Sequence, residues 1–342
     1  MIRHADNNNI FCTLFNSNYI DKGLVLYNSM VERLESFKLY VFAFDNLCYE
    51  ILQQENLPNM IVVSLDEFET PELLKVKSER SVAEYCWTCK AWIVKYVFEK
   101  FNEQICTYID SDMMFFSSPN CVFDEMKKNG CSTIIIPQRF KNEEEERIQH
   151  DRIGTYCGVF NTFSNSKESL EALNWWAAKC LEWCFYAVPG TTEWYGDMKY
   201  LNMFPIQFKG VYISEHFGLG LAPWNLCLVD EVEGDNNPPL VKVKKTGEVC
   251  PIILYHFEYI NFVSKHILNA ASGLKSKKMH KEIYDVYIKR IIDTRRYVED
   301  KYNIKLPRKR RVNSNSFFAK IYQKYIMPLR RIKKMKDLYW IK

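Results

Sequence analysis

The chain has 342 residues, is 47% hydrophobic and 15% aromatic, and carries a formal net charge of +4. It can bury a substantial core as one large α/β domain with appendages or as two smaller domains. No run of about 18 uncharged apolar residues reads as a transmembrane helix.

Charge is unevenly placed. Residues 305–342 hold 13 Lys/Arg against a single acid, Asp337, a net +12. The remaining 304 residues hold 33 Lys/Arg against 41 Asp/Glu, a net −8. A mildly acidic body followed by a strongly basic tail marks the tail as partner-facing. The first six residues, Met1 to Asp6, are polar and lack a signal-peptide apolar region. Of the twelve cysteines, Cys12, Cys106, Cys157 and Cys250 sit in or beside apolar strand-like runs. Cys86 and Cys89 form a CxxC without a second pair, and Cys180 and Cys184 fall four apart in a helical stretch. Unpaired thiols in a reducing cytosol are the expectation.

In chain order, residues 9–15 read as a first strand, 16–18 as a turn and 19–34 as an amphipathic helix. Strands over 37–44 and 60–65 flank a helix over 47–55. This alternation predicts a Rossmann-like, mainly parallel sheet flanked by helices. No Gly-x-Gly-x-x-Gly follows the first strand, which disfavours a dinucleotide fold of the dehydrogenase kind. Residues 78–101 read as a helix whose Trp87 and Trp92 are either core or a ligand cage. Arg80, before its apolar part, reads equally as a solvated charge or a phosphate clamp.

The centre of the sequence is Ile105-Cys106-Thr107-Tyr108-Ile109-Asp110-Ser111-Asp112. A short β-branched and aromatic run is a buried strand. Asp110 and Asp112 fall at its carboxyl end, where open α/β sheets bind ligands. Two carboxylates there can hold Mg²⁺ or Mn²⁺, whose remaining positions take diphosphate oxygens. The alternative is a chance Asp-X-Asp.

Further on, 131–137 reads as a strand, 141–147 as a polar loop or helix start, and 154–163 as a strand approached closely by a ligand or another backbone at its glycines. Residues 169–187 read as an aromatic-rich helix, and Thr191 as the cap of the next. Residues 216–225 form a glycine-containing loop carrying His216, Trp224 and Asn225, read as a binding segment or a buried anchor. Residues 250–257 read as a strand with His256 near its exit, 235–239 as a turn and 278–302 as a charged helix.

Taken together, Cys12 to Tyr19, Glu84 to Thr88, Tyr108 to Asp112, Tyr195 to Leu201, Ala222 to Asn225 and Leu254 to Phe257 resemble the GT-A glycosyltransferases, near family 8 of the retaining enzymes. The resemblance covers about residues 9–262. It implies metal ligation by Asp110, Asp112 and His256. It implies donor binding by Thr13, Leu14, Asn16, Tyr19, Arg80, Asp110 and Ser111, and a catalytic place for Asp197 beside the reacting sugar. Met198 stands where the family carries Gln. The implied reaction moves a hexose, with retention, from a UDP-type sugar nucleotide to a hydroxyl of a glycan or lipid-linked acceptor. A sugar-nucleotide binder without turnover is the alternative. A nucleotidyltransferase would need a glycine- and lysine-rich loop that Asn16-Ser17-Asn18-Tyr19 does not supply. The aromatic rings around 216–225 suit acceptor sugars, with His216, Trp224 and Asn225 as candidates.

The expected organisation is a catalytic domain over 1–265, a helical extension over 266–306 and a basic amphipathic tail over 307–342. Interleaved aromatic and basic residues in the tail suit a helix on an anionic membrane surface, with nucleic acid or plain solvation as the alternatives. The net −8 of the body argues against nucleic acid. The expected place is the cytoplasm, peripheral on the inner face of the plasma membrane.

Overall fold

The computed structural model describes residues 9–186, 196–234, 236–258, 260–264, 267–269, 278–308 and 338–340. The chain divides into two compact units, 1–256 and 257–342.

The first unit opens with β1 (Ile10–Phe15), α1 (Ile20–Arg33), β2 (Lys38–Ala43), α2 (Asn46–Glu55) and β3 (Met60–Ser64). Two short helices, α3 (Leu65–Phe68) and α4 (Pro71–Lys77), lead into α5 (Val82–Phe101) and β4 (Ile105–Ile109). There follow β5 (Met113–Phe115), α6 (Asn120–Asn129), β6 (Thr133–Pro137), α7 (Glu143–His150), β7 (Tyr156–Ser164) and α8 (Lys167–Glu182). The unit ends with α9 (Phe204–Gln207), β8 (Val211–Ile213), β9 (Leu219–Leu221), β10 (Val229–Glu231), β11 (Leu240–Val243), β12 (Val249–Pro251) and β13 (Leu254–His256).

Seven strands form the main sheet in the order β3-β2-β1-β4-β7-β6-β8. The first four are mutually parallel, β7 runs antiparallel to both β4 and β6, and β8 is parallel to β6. The sheet is therefore mixed and mainly parallel, as the strand–helix alternation predicts. The chain builds outward from β1 to β3 and then returns to lay β4 against the other side of β1. That reversal opens a crevice at the carboxyl ends of β1 and β4, where doubly wound sheets take their ligands.

Local sequence explains the elements that frame this crevice. Every residue of β1 is buried. Helix α5 starts later than its apolar pattern suggested, at Val82, because Ser81 and Glu84 close a capping box. Asn102 ends it in the left-handed conformation. Helix α5 packs with α8 over one face of the sheet, and Trp92 Nε1 donates to Ala177 O across that contact (3.3 Å). On the other face, α1 closes on β1 at Gly23, where a Cβ would lie 2.3 Å from Phe15 Cζ.

A smaller sheet, β5-β13-β9, lies beside the main one. Met113 to Phe115 read in sequence only as an apolar flank, yet they form β5 and pair antiparallel with β13, Met113 opposite His256. The run 250–257 is accordingly two strands, β12 and β13. Strands β10, β11 and β12 form an antiparallel meander. Residues 143–150 are helical, and the loop 216–225 contains β9. The Thr191 cap lies outside the described residues.

The second unit contains β14 (Asn261–Ser264), β15 (Ile267–Asn269), α10 (Lys278–Lys301) and β16 (Leu338–Trp340), the three strands pairing antiparallel in that order. Phe257 stacks on Tyr287 with centroids 3.7 Å apart, and Arg295 donates to the carbonyls of Leu306 and Pro307. Leu338–Trp340 belong to the stretch read as an interfacial helix and are instead a strand. Residues 309–337 lie outside the described residues. No helix among the described residues is long and apolar enough to cross a membrane.

Candidate active site

The carboxyl end of β4 carries the acidic pair. Asp110 N donates to Val159 O (3.2 Å), continuing the ladder with β7 for one residue before the chain turns into β5. Asp112 therefore stands immediately before a strand whose partner, β13, ends in His256. Cross-strand pairing brings His256 Nε2 to 3.0 Å from Asp112 Oδ1, although 144 residues separate them. Ligand atoms of Asp110, Asp112 and His256 all lie within 4.8 Å of one another. Two carboxylates and an imidazole at that spacing are a donor set for a hard or borderline divalent cation.

Two lysines complete the group, and neither carries a site signature in the sequence. Lys90, from the middle of α5, is 5% exposed and places Nζ 3.4 Å from Asp110 Oδ1 and 3.5 Å from Asp197 Oδ2. Lys22, from α1, lies 3.6 Å from Asp112 Oδ2. Asp197 is 2% exposed, and its carbonyl accepts from Trp176 Nε1 (3.1 Å). Gly158 of β7 makes the room for it: a Cβ there would sit 3.0 Å from Asp197 Oδ2 and 3.4 Å from Lys90 Nζ. The close approach expected at this strand is thus made by a carboxylate and a lysine, and Gly158 O itself accepts from Lys90 (3.1 Å). Met198 Cγ would lie 3.0 Å from the same Cβ.

Burial and charge pull the carboxyls in different directions. Burial pushes Asp112 up, but the charges of His256 and Lys22, with hydrogen bonds from His256 and the backbone, hold it well below the usual carboxylate range. Asp197 is raised: burial outweighs the attraction of Lys90, and Asp110 adds repulsion. Burial pushes Lys90 down, yet Asp110 and Asp197 more than reverse that and hold it protonated.

The loop after β1 borders the same crevice. Asn16 accepts from Asn18 N to cap a short 3₁₀ turn, and Asp45 accepts from both Ser17 N and Ser17 Oγ. Tyr19 lies over Lys22, with Nζ 4.0 Å from the ring centroid. Burial raises its hydroxyl, and Asp112 and Asp110 add to that. Thr13 and Leu14 are buried within β1, and Thr13 Oγ1 meets no partner among the described residues. Ser111, 7% exposed, lies between the two aspartates.

Arg80, Asn225 and His216 meet partners away from the triad. The Arg80 guanidinium donates to Thr88 Oγ1 and to the carbonyls of Cys180 (2.7 Å) and Leu181 (2.6 Å), tying the start of α5 to the end of α8. Asn225 is fully buried; its Oδ1 accepts from Ala222 N (2.9 Å) and its Nδ2 donates to Gly220 O (3.1 Å). His216 lies 3.8 Å from Glu125 of α6. Trp224 donates Nε1 to Gln138 O (3.0 Å) and sets its ring edge-on to His256, with centroids 5.6 Å apart. Of the three loop residues, Trp224 is the one set against the metal-type triad.

This combination, a mainly parallel sheet with Asp-X-Asp at its switch point and a histidine returned from a late strand, is the GT-A fold. The same fold is seen in the galactosyltransferase LgtC, crystallised in complex with donor and acceptor sugar analogs. The match has a TM-score of 0.53 at 11% identity and covers 82% of this chain and 95% of LgtC. In sequence the chain is 30% identical over 293 residues to the uncharacterized protein YfnD of Bacillus subtilis (strain 168), covering 85% of this chain and 90% of YfnD. It is 27% identical over 261 residues to YfnF of the same organism, covering 74% and 82%. The chain belongs to the family of YfnD. No family model matches it.

Proposed function

We propose that the protein is a metal-dependent glycosyltransferase that moves a hexose from a nucleoside diphosphate sugar, of the UDP class, to a hydroxyl of a glycan or lipid-linked acceptor, with retention. The observation that carries this reading is the Asp110–Asp112–His256 triad at the switch point of the sheet, its ligand atoms within 4.8 Å of one another. Those residues would hold Mn²⁺ or Mg²⁺, which when bound would supply Lewis-acid stabilisation to the departing diphosphate. Transfer develops positive charge on the sugar as the glycosidic bond to phosphate breaks. Asp197 supplies a buried negative group for that centre, and Lys90 fixes it at 3.5 Å, next to Asp110. The same lysine keeps two close carboxylates from repelling each other out of position. The ring of Trp224, beside His256, offers an apolar face to an acceptor sugar. The +12 of residues 305–342 supports attachment to an anionic membrane surface on the cytoplasmic side.

The test is a panel of nucleotide sugars, with and without Mn²⁺, read by thermal shift and by donor hydrolysis. A metal-dependent shift and turnover with one donor class is expected. In Asp197→Asn, turnover falls far more than UDP affinity; equal losses would make Asp197 a structural residue. A chain that binds a sugar nucleotide but never hydrolyses or transfers it would be a binder, and the enzymic reading would fail. Release from anionic vesicles on deletion of 307–342 tests the membrane part.

A further inference from the structure

Lys22 is the third residue of α1, and its side chain is 8% exposed. A lysine this dry is costly to the fold unless its charge is engaged. Its Nζ lies 3.6 Å from Asp112 Oδ2, on the opposite carboxylate oxygen from His256, and 4.0 Å from the centroid of the Tyr19 ring. The helix holds it there. With Gly23 against the Phe15 ring, α1 lies tight on the end of β1, so the ammonium is delivered into the crevice between β1 and β4.

The two lysines are engaged differently. Lys90 is divided between Asp110, Asp197 and the Gly158 carbonyl, all on the α5 side of the group. Lys22 stands on the other side, against a metal-type ligand and an aromatic residue of the loop after β1. Asp110, Asp112 and Asp197 bring three negative charges and Lys22 and Lys90 two positive ones. With His256 deprotonated to ligate it, a divalent cation would bring the group to an excess of one positive charge. Such a site receives a diphosphate, and Lys22 is the fixed part of its positive charge on the Asp112 side.

Resting on the function proposed above, we propose that Lys22 is a diphosphate-binding residue of the donor site, its ammonium taking phosphate oxygens directly beside the Asp110–Asp112–His256 group. The chain would then grip the diphosphate with a built-in cation as well as with an ion.

The experiment uses the full-length protein in EDTA, titrated calorimetrically with UDP, with inorganic diphosphate and with uridine. The wild type is expected to bind UDP and diphosphate without metal. Lys22→Met, which keeps most of the aliphatic stem, should weaken both by about tenfold or more, as loss of a charge-assisted contact does. Uridine binding should not change, and Lys22→Arg should retain diphosphate binding. Should Lys22→Met fail to fold, the wild type still decides: added salt must weaken UDP and diphosphate binding while sparing uridine. Unchanged diphosphate binding in Lys22→Met, or equal losses for uridine and UDP, overturns the assignment. If the wild type binds UDP only with Mn²⁺, Lys22 has no independent grip and the inference falls while the glycosyltransferase reading stands. If no nucleoside diphosphate binds under either condition, both fall.

Discussion

The group at the end of β4 and the loop over 216–225 both set polar side chains among apolar ones, yet they use them in opposite ways. In the loop, the protein consumes the hydrogen bonds itself. Asn225 spends its amide on Ala222 N and Gly220 O, and Arg139 gives its two Nη groups to the carbonyls of Leu219 and His216. Such groups hold backbone and leave little for a ligand. At the end of β4, three carboxylates and two lysines face one another within a buried space, bonded mainly to each other. Charges gathered like this cost desolvation that their own attraction does not cleanly return. A chain keeps such an arrangement where the charge has chemical use.

That contrast can be broken in order of size. Lys90→Met removes the cation shared by Asp110 and Asp197 and leaves two carboxylates facing each other, so unfolding by urea should show a loss of about 3–5 kcal/mol. A loss below 1 kcal/mol would mean that the carboxylates do not depend on it. Asp112→Asn is nearly isosteric and should lower metal-dependent donor turnover about a hundredfold, the scale of a lost metal ligand. Some stability goes with it, because Lys22 loses its buried counter-charge, but the variant should stay folded at assay temperature, and undiminished Mn²⁺-dependent turnover would remove the triad from the chemistry. Asn225→Ala should do the reverse. It leaves the Ala222 amide and Gly220 carbonyl unmet, costs stability by about 2 kcal/mol, and spares donor hydrolysis. Loss of activity without loss of stability there would put Asn225 in the acceptor site after all. Trp224→Phe is the mildest. It removes the bond to Gln138 O, worth about 1 kcal/mol, together with part of the ring beside His256, and should shift acceptor KM rather than donor hydrolysis.

The sequence exposed the crevice more readily than its contents. Strands β1 and β4 are short apolar runs followed at once by polar residues, and in a parallel sheet that pattern is the ligand edge. His256 showed the same signature. The lysines were hidden because they lie inside helices, where one charge among apolar residues reads as part of a solvated stripe. The available clue was local: Lys90 sits between Cys89 and Ala91, both fully buried, so its side chain leaves an apolar stretch with no exposed face to reach. Strand β5 escaped because three residues carry no period of their own and need β13 to define them. For Arg80 and Asn225, sequence shows the polar group but not the protein carbonyls and amide that it meets.

The pairing of Met113 with His256 has a consequence for the order in which the molecule is made. Asp110 and Asp112 emerge from the ribosome with β4, but the third member of their group arrives 144 residues after Asp112. Closing a loop of that length is entropically costly and is recovered only once β13 zips onto β5. A chain that has laid down β1 to β8 therefore holds the acidic pair without its histidine. The triad becomes whole only as the last strand of the first unit is laid down, so the proposed metal site depends on completion of that unit.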